Sequence, residues 1–119
     1  MYTIKELDLW KDKEGKKVYK LDVPMEKWIF LTLEKGKIAG EHYHKGTVPI
    51  KNPEINIILS GKVKYTFIHV ETKEKREIII DSPKIIEIHP NVHHTLEALE
   101  DFTMVEPYSD KGLQDRWEL

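Results

Sequence analysis

The chain contains no cysteine. That removes disulfides, thiolate metal ligands and cysteine nucleophiles in one step. Arginine is scarce, with only Arg76 and Arg116, and Gln114 is the single glutamine. No apolar run approaches the ~20 residues needed to span a bilayer. The opening MYTIKELDLWKDKEGKK lacks the apolar segment of a signal peptide, so a cytoplasmic protein with no membrane partner is expected. The net charge is −2, and lysines alternate with glutamates instead of gathering into a basic block. A general nucleic-acid binder is therefore not expected. Gly-x-Ser-x-Gly, His-Glu-x-x-His and P-loop signatures are all missing.

What is present points to one compact domain. The 119 residues are 39% hydrophobic and 34% charged, enough apolar material for a single core. Lysine, glutamate and isoleucine are abundant, a composition that suggests a thermophilic source. The apolar pattern has a period of two. KVYKLDV (17–23), WIFLTL (28–33), REIII (76–80), KIIEI (84–88), HTLEAL (94–99) and FTMVEP (102–107) read as short strands, and EINIILSGKVKYTFIHVE (54–71) as two strands around Ser60-Gly61. Such strands, separated by Gly, Pro, Asn and Asp, predict an all-β sandwich or barrel. KDKEGKK (11–17) reads as a hairpin turn, and SDKGLQDRWEL as a short helix or a tail that packs Trp117. The expected division is an N-terminal hairpin over 1–27, a barrel over about 28–107 and a tail over 108–119.

Six histidines occur, and two of them stand one residue apart in GEHYH (40–44). On an extended chain, residues i and i+2 share a face. His42 and His44 then project together, with Tyr43 on the other side. Glu54, Asn56 and Ile58 share a face of the following strand by the same rule. In IHPNVHHTLE, Pro90-Asn91 makes a turn, because asparagine tolerates the left-handed backbone. His93 and His94 follow and face opposite ways.

These residues resemble the two sequence motifs of the cupin superfamily. Gly36, His42-Tyr43-His44, Glu54 and Gly61 follow the order of the first motif. HPNVHH follows the second, with Asn91 where a glycine is usual and His94 where the histidine stands. Residues 45–53 are longer than the usual spacer, and their Gly46, Pro49 and Pro53 fit a loop, either a lid over the pocket or a plain surface loop. The resemblance implies a double-stranded β-helix, a jelly-roll barrel, with a metal inside held by His42, His44, Glu54 and His94. Three imidazoles and a carboxylate suit a divalent Fe, Mn, Ni, Zn or Cu ion and leave positions open for water or substrate.

Three functions are consistent with that set. The first is a metal-dependent enzyme, an oxygenase, isomerase or decarboxylase, acting on a small anionic or carbonyl-containing molecule, with Asn56, Phe67 and His69 as candidate pocket residues. The second is a metal-independent sugar-nucleotide isomerase or epimerase, as the sugar-isomerase branch of the superfamily suggests. There His44 or His42 would be the base, with Tyr65 as the partner acid. Only Lys45 and Lys51 are placed near the mouth to meet a diphosphate. The third is a non-catalytic small-ligand-binding protein. A homodimer is expected, since open sheet edges gain from being covered, with Trp10, Tyr19 and Trp28 as candidate contacts.

Overall fold

The computed structural model describes residues 8–22 and 27–119. Ten strands follow in order: β1 (Asp8–Lys13), β2 (Lys16–Asp22), β3 (Lys27–Leu33), β4 (Ile38–His42), β5 (Glu54–Ser60), β6 (Lys62–His69), β7 (Lys75–Asp81), β8 (Lys84–Ile88), β9 (Val92–Ala98) and β10 (Phe102–Pro107). A 3₁₀ turn spans Pro49–Lys51, and the helix α1 spans Asp110–Gln114. No described helix is long and apolar enough to cross a membrane.

All pairings are antiparallel and form two sheets. The larger runs β1-β2-β3-β10-β5-β8 and the smaller β4-β9-β6-β7. From β3 to β10 the chain crosses from one sheet to the other at every step except the β6–β7 hairpin, which is the jelly-roll arrangement expected from the sequence. Side-chain alternation decides what lies between them. On β3, Ile29, Leu31 and Leu33 are buried while Trp28, Phe30 and Thr32 face outward. Val18, Ile58, Val63, Tyr65, Leu96, Phe102 and Met104 complete the same interior. Slipping any of these strands by one residue would turn its apolar set to solvent, so the pattern fixes the register.

Every strand read from the sequence is present. Strand β4 is additional: IAGEH is short and carries a glycine, so its alternation is too brief to stand out. The first hairpin turns at Glu14-Gly15, tighter than residues 11–17, and β2 pairs with β3 so that the hairpin extends the large sheet. Residues 1–7 and 23–26 of the expected N-terminal segment lie outside the described residues. The β5–β6 turn requires Gly61. Its φ is +86°, and a Cβ there would sit 2.2 Å from the Asp101 carbonyl oxygen.

Candidate metal centre

His42 closes β4, and its register partner across the ladder is His94 of β9. The ladder is irregular just before this pair. Gly40 and Glu41 both adopt positive φ, +87° and +63°, and a Cβ on Gly40 would come within 2.8 Å of the His94 carbonyl oxygen. This bulge re-aims the end of β4 inward. Tyr43 then pairs with Trp117 of the tail through two backbone hydrogen bonds of 2.9 Å. That holds the chain extended, so His44 returns to the face of His42, and the two rings lie 4.8 Å apart. Asn91 has the left-handed φ of +63° expected at its turn, and its N–H donates to the His44 carbonyl at 2.7 Å. Glu54, Asn56 and Ile58 share the buried face of β5.

One nitrogen or oxygen from each of His42, His44, Glu54 and His94 falls within 4.8 Å of the others. Backbone carbonyls settle the histidine tautomers. Nδ1 of His42 donates to Gly40 O at 3.0 Å, Nδ1 of His94 to Val92 O at 3.2 Å, and Nδ1 of His44 to Asp115 O. A carbonyl only accepts, so each Nδ1 carries a hydrogen, and each ring turns its Nε2 inward. Nε2 of His44 lies 3.4 Å from one oxygen of Glu54, and Nε2 of His94 lies 3.0 Å from the other. His44 Nε2 and Glu54 Oε2 are buried with no hydrogen-bond partner. Three inward Nε2 atoms converging with a buried carboxylate are a donor set that a divalent cation satisfies, so the residues fit a metal ion. Burial, together with the neighbouring His94 and Arg116, pulls the His42 pKa down to about 3, so this ring is neutral over the working range. Burial alone would raise the Glu54 pKa. His44, His94 and Lys51 outweigh it and hold the carboxyl well below its usual value.

The centre lies at the wall of a cavity of about 90 Å³ between the sheets. Val18, Leu31 and Met104 line it from the large sheet, Ala39 and Leu96 from the small one, and Leu113 and Arg116 from the tail. Asn56 also reaches it, as expected, and links two other groups. Its side-chain oxygen accepts from the Tyr65 hydroxyl at 2.9 Å, and its Nδ2 donates to Glu106 Oε2 at 2.9 Å. Burial and the charge of Glu54 raise the Glu106 pKa to about 7.

Several expected placements are corrected. Tyr65 does not line the cavity. It is fully buried behind Asn56, and burial raises its pKa far above the ordinary tyrosine value. Phe67 stacks on Tyr65 with ring centroids 5.4 Å apart and belongs to the packing around the core. His69 sits at the end of β6, where its Nδ1 accepts from the backbone of Glu71 and Thr72, so it caps a turn. Lys45 lies over the Trp117 ring at 3.7 Å instead of guarding the mouth. Trp10 lines the cavity and packs edge-on against Tyr108, so it is no outer-surface contact.

Other groups were not legible in the sequence. Lys51, from the 45–53 segment, places Nζ 3.0 Å from Glu54 Oε1, so this segment forms part of the cavity wall. Asp115 is buried. Its carboxylate accepts from the backbone of Lys45, Gly46 and Thr47 at 2.8–2.9 Å and from Trp117 Nε1 at 3.2 Å. The only local signal for Asp115 was Trp117 two residues on in a mostly polar tail. Glu106 had a faint one: in FTMVEP it falls on the same alternate face as Phe102 and Met104.

No protein-family model matches the chain, and no curated protein sequence matches it. Solved structures do. The capsular polysaccharide assembling protein CapF of Staphylococcus aureus superposes with a TM-score of 0.77 at 18% identity, over 98% of this chain and 32% of that one. The fold is that of the cupins. Oxalate decarboxylase of Bacillus subtilis, a cupin with Mn(II) centres, superposes with a TM-score of 0.65 at 20% identity, over 83% of this chain and 27% of that one. The chain thus spans about a third or less of these neighbours' length. Within this barrel, the four-residue cluster is the group able to hold a metal ion among the described residues.

Proposed function

We propose that this cupin is a metal-dependent enzyme acting on a small anionic or carbonyl-bearing molecule. The observation that carries the reading is the convergence of three imidazoles and one carboxylate within 4.8 Å, beside a cavity. Such a donor set leaves a divalent ion at net +1, which favours an anionic ligand. Manganese is the first metal to test, because a neighbour of the same fold holds Mn(II). A bound ion would act as a Lewis acid toward a substrate oxygen.

The chain's own residues supply the rest. Lys51 adds a cation beside the centre. Glu106, with a pKa raised to about 7, can take or give a proton near neutral pH, and Asn56 fixes its carboxyl by a 2.9 Å hydrogen bond. That pairing suits isomerisation or decarboxylation, where a proton moves at carbon next to a carbonyl or carboxylate. The metal-independent isomerase reading is less well supported. Its acid, Tyr65, is fully buried and its hydroxyl is committed to Asn56. The cavity's volume of about 90 Å³ favours a small substrate.

The test is metal content. Tag-free protein loaded with Mn(II) and desalted should carry one ion per chain by mass spectrometry. His44→Ala and Glu54→Gln should carry almost none. Near-zero metal in all three proteins, after loading with each of the five candidate ions, would end the metal reading.

A further inference from the structure

The charges around the cavity are unbalanced. Lys11, Lys16, Lys51 and Arg116 line it against only Glu54 and Glu106, although the whole chain is net negative. Lys51 is paired with Glu54 at 3.0 Å. Lys11, Lys16 and Arg116 form no close ion pair among the described residues, and Glu106 is the one carboxylate whose charge acts on Lys16. These three come from separate places in the fold. Lys11 lies on β1, and Lys16 begins β2 on the inward face it shares with Val18, opposite buried Leu33. Arg116 follows Asp115, whose carboxylate is anchored by four N–H groups, so the tail holds the backbone from which the exposed guanidinium reaches the cavity. They are close enough to act on one another. After burial, the charges of Arg116 and Lys11 are what lower the Lys16 pKa, and Arg116 does the same to Lys11.

Like charges that outnumber the nearby carboxylates destabilise an empty site and favour an anion in it. A single anion at the histidine centre would leave this second cluster unmet. We infer that the ligand of this cavity carries two anionic groups, one bound at the histidine–Glu54 centre and a second, a carboxylate or a phosphate, held by Lys16 and Arg116 with Lys11 beside them. Arg116 presents the planar fork that suits either group, and Lys16 adds a point charge. The inference rests on the metal-centre reading for the first group only, since the second anchor is built from side chains outside that centre.

Calorimetric titration tests it with four probes on the Mn(II)-loaded protein: acetate, malonate, succinate and phosphonoacetate. At least one of the three dianions should bind about tenfold or more tighter than acetate. Whether malonate and succinate or phosphonoacetate leads identifies the second group as carboxylate or phosphate-like. That advantage should fall away in Lys16→Gln and Arg116→Gln and persist in Lys84→Gln, a change at an exposed lysine of β8. Inorganic phosphate is then titrated into chelator-treated protein, where the second anchor acts alone. Binding that is lost in Lys16→Gln and Arg116→Gln upholds the anchor even if the protein proves to hold no metal. Equal affinities for acetate and all three dianions on metal-loaded protein, or phosphate binding unaffected by both variants, would overturn it while leaving the metal reading intact.

Discussion

The backbone carbonyl of Asp115 accepts a hydrogen bond from Nδ1 of His44, a residue 71 positions earlier in the chain. The same aspartate, through its carboxylate, gathers the amides of Lys45, Gly46 and Thr47. The tail therefore orients a ligand of the centre and pins the start of the segment that delivers Lys51.

Replacing Asp115 by alanine should damage the metal centre without touching a ligand. Three backbone amides and an indole N–H lose their acceptor, at roughly 1–3 kcal/mol for each group left buried and unmet. Local relaxation and entering water will offset part of this, so a loss of about 2–4 kcal/mol is expected in urea unfolding of chelator-treated protein. Metal affinity should fall by about 10–100-fold, as for other groups that orient a ligand from behind. Asp115→Asn keeps one acceptor oxygen and should lie between. Competition with a fluorescent chelator reads the affinities. Unchanged affinity in the alanine variant would show that the tail does not position His44.

Lys51 should matter in opposite directions for metal and for anion. Its Nζ sits on Glu54 Oε1 at 3.0 Å and takes part of the carboxylate's charge. A divalent ion arriving at Glu54 meets that ammonium as a like charge. Even a net repulsion of about 1.4 kcal/mol, small for such a distance, is a factor of ten. Lys51→Met should thus bind Mn(II) up to about tenfold more tightly, while anionic ligands bind the loaded protein more weakly. Chelator competition and malonate titration measure the two effects on the same sample. Weaker metal binding in Lys51→Met would mean that the ammonium holds Glu54 in place more than it repels the ion.

The strands and the ligand set were legible because both rest on local, periodic signals. Alternation in WIFLTL or EINIILSG needs only one strand to be visible, and the i, i+2 spacing of His42 and His44 survives even though β4 ends at His42. The second tier was not legible, because it depends on contacts between distant segments. Nothing around Asp115 announces that it will meet residues 44–47. Lys16 reads as one more lysine in KDKEGKK until β2 is known to present it inward beside Val18. His69 and Phe67 were misplaced for the converse reason. Their face of β6 is the correct one, but the strand runs past the cavity, and its last residues cap a turn.

We propose a homodimer formed through the outer face of the large sheet. Cross-strand register lines up Leu9, Tyr19, Phe30, Val105, Ile57 and Ile85 across all six strands. At about 4.8 Å between strands this apolar stripe is about 24 Å long. Leu9 and Ile85, at the two ends of the stripe, are 49% and 67% exposed, and Leu59, on the same strand as Ile57, is 47% exposed. An apolar band of this extent is uncommon on a monomer's surface. Light scattering at micromolar concentration should give the mass of two chains. Ile57→Lys, which puts a charge at the centre of the stripe, should give one chain with its β-type circular dichroism spectrum intact. A monomeric wild-type protein would refute the proposal.

Glu106 should make the chelator-treated protein less stable as pH rises through neutrality. Its folded pKa of about 7 lies above the ordinary carboxyl value of 4.5, with burial and then the charge of Glu54 as the causes. Below pH 4.5 both folded and unfolded chains hold the proton, and Glu106 contributes no slope. Between 4.5 and 7 the folded chain binds more protons than the unfolded one, so stability falls with increasing pH; above 7 the loss is complete. A shift of this size corresponds to about 3 kcal/mol at most, discounted for the water that the cavity admits. Glu106→Gln cannot ionise and keeps an acceptor for Asn56 Nδ2. It should match wild type near pH 4.5 and exceed it by about 1–3 kcal/mol at pH 8 in urea titrations. Parallel pH profiles for the two proteins would mean that Glu106 titrates in the ordinary carboxyl range, and would remove it as the proton carrier of the proposed reaction.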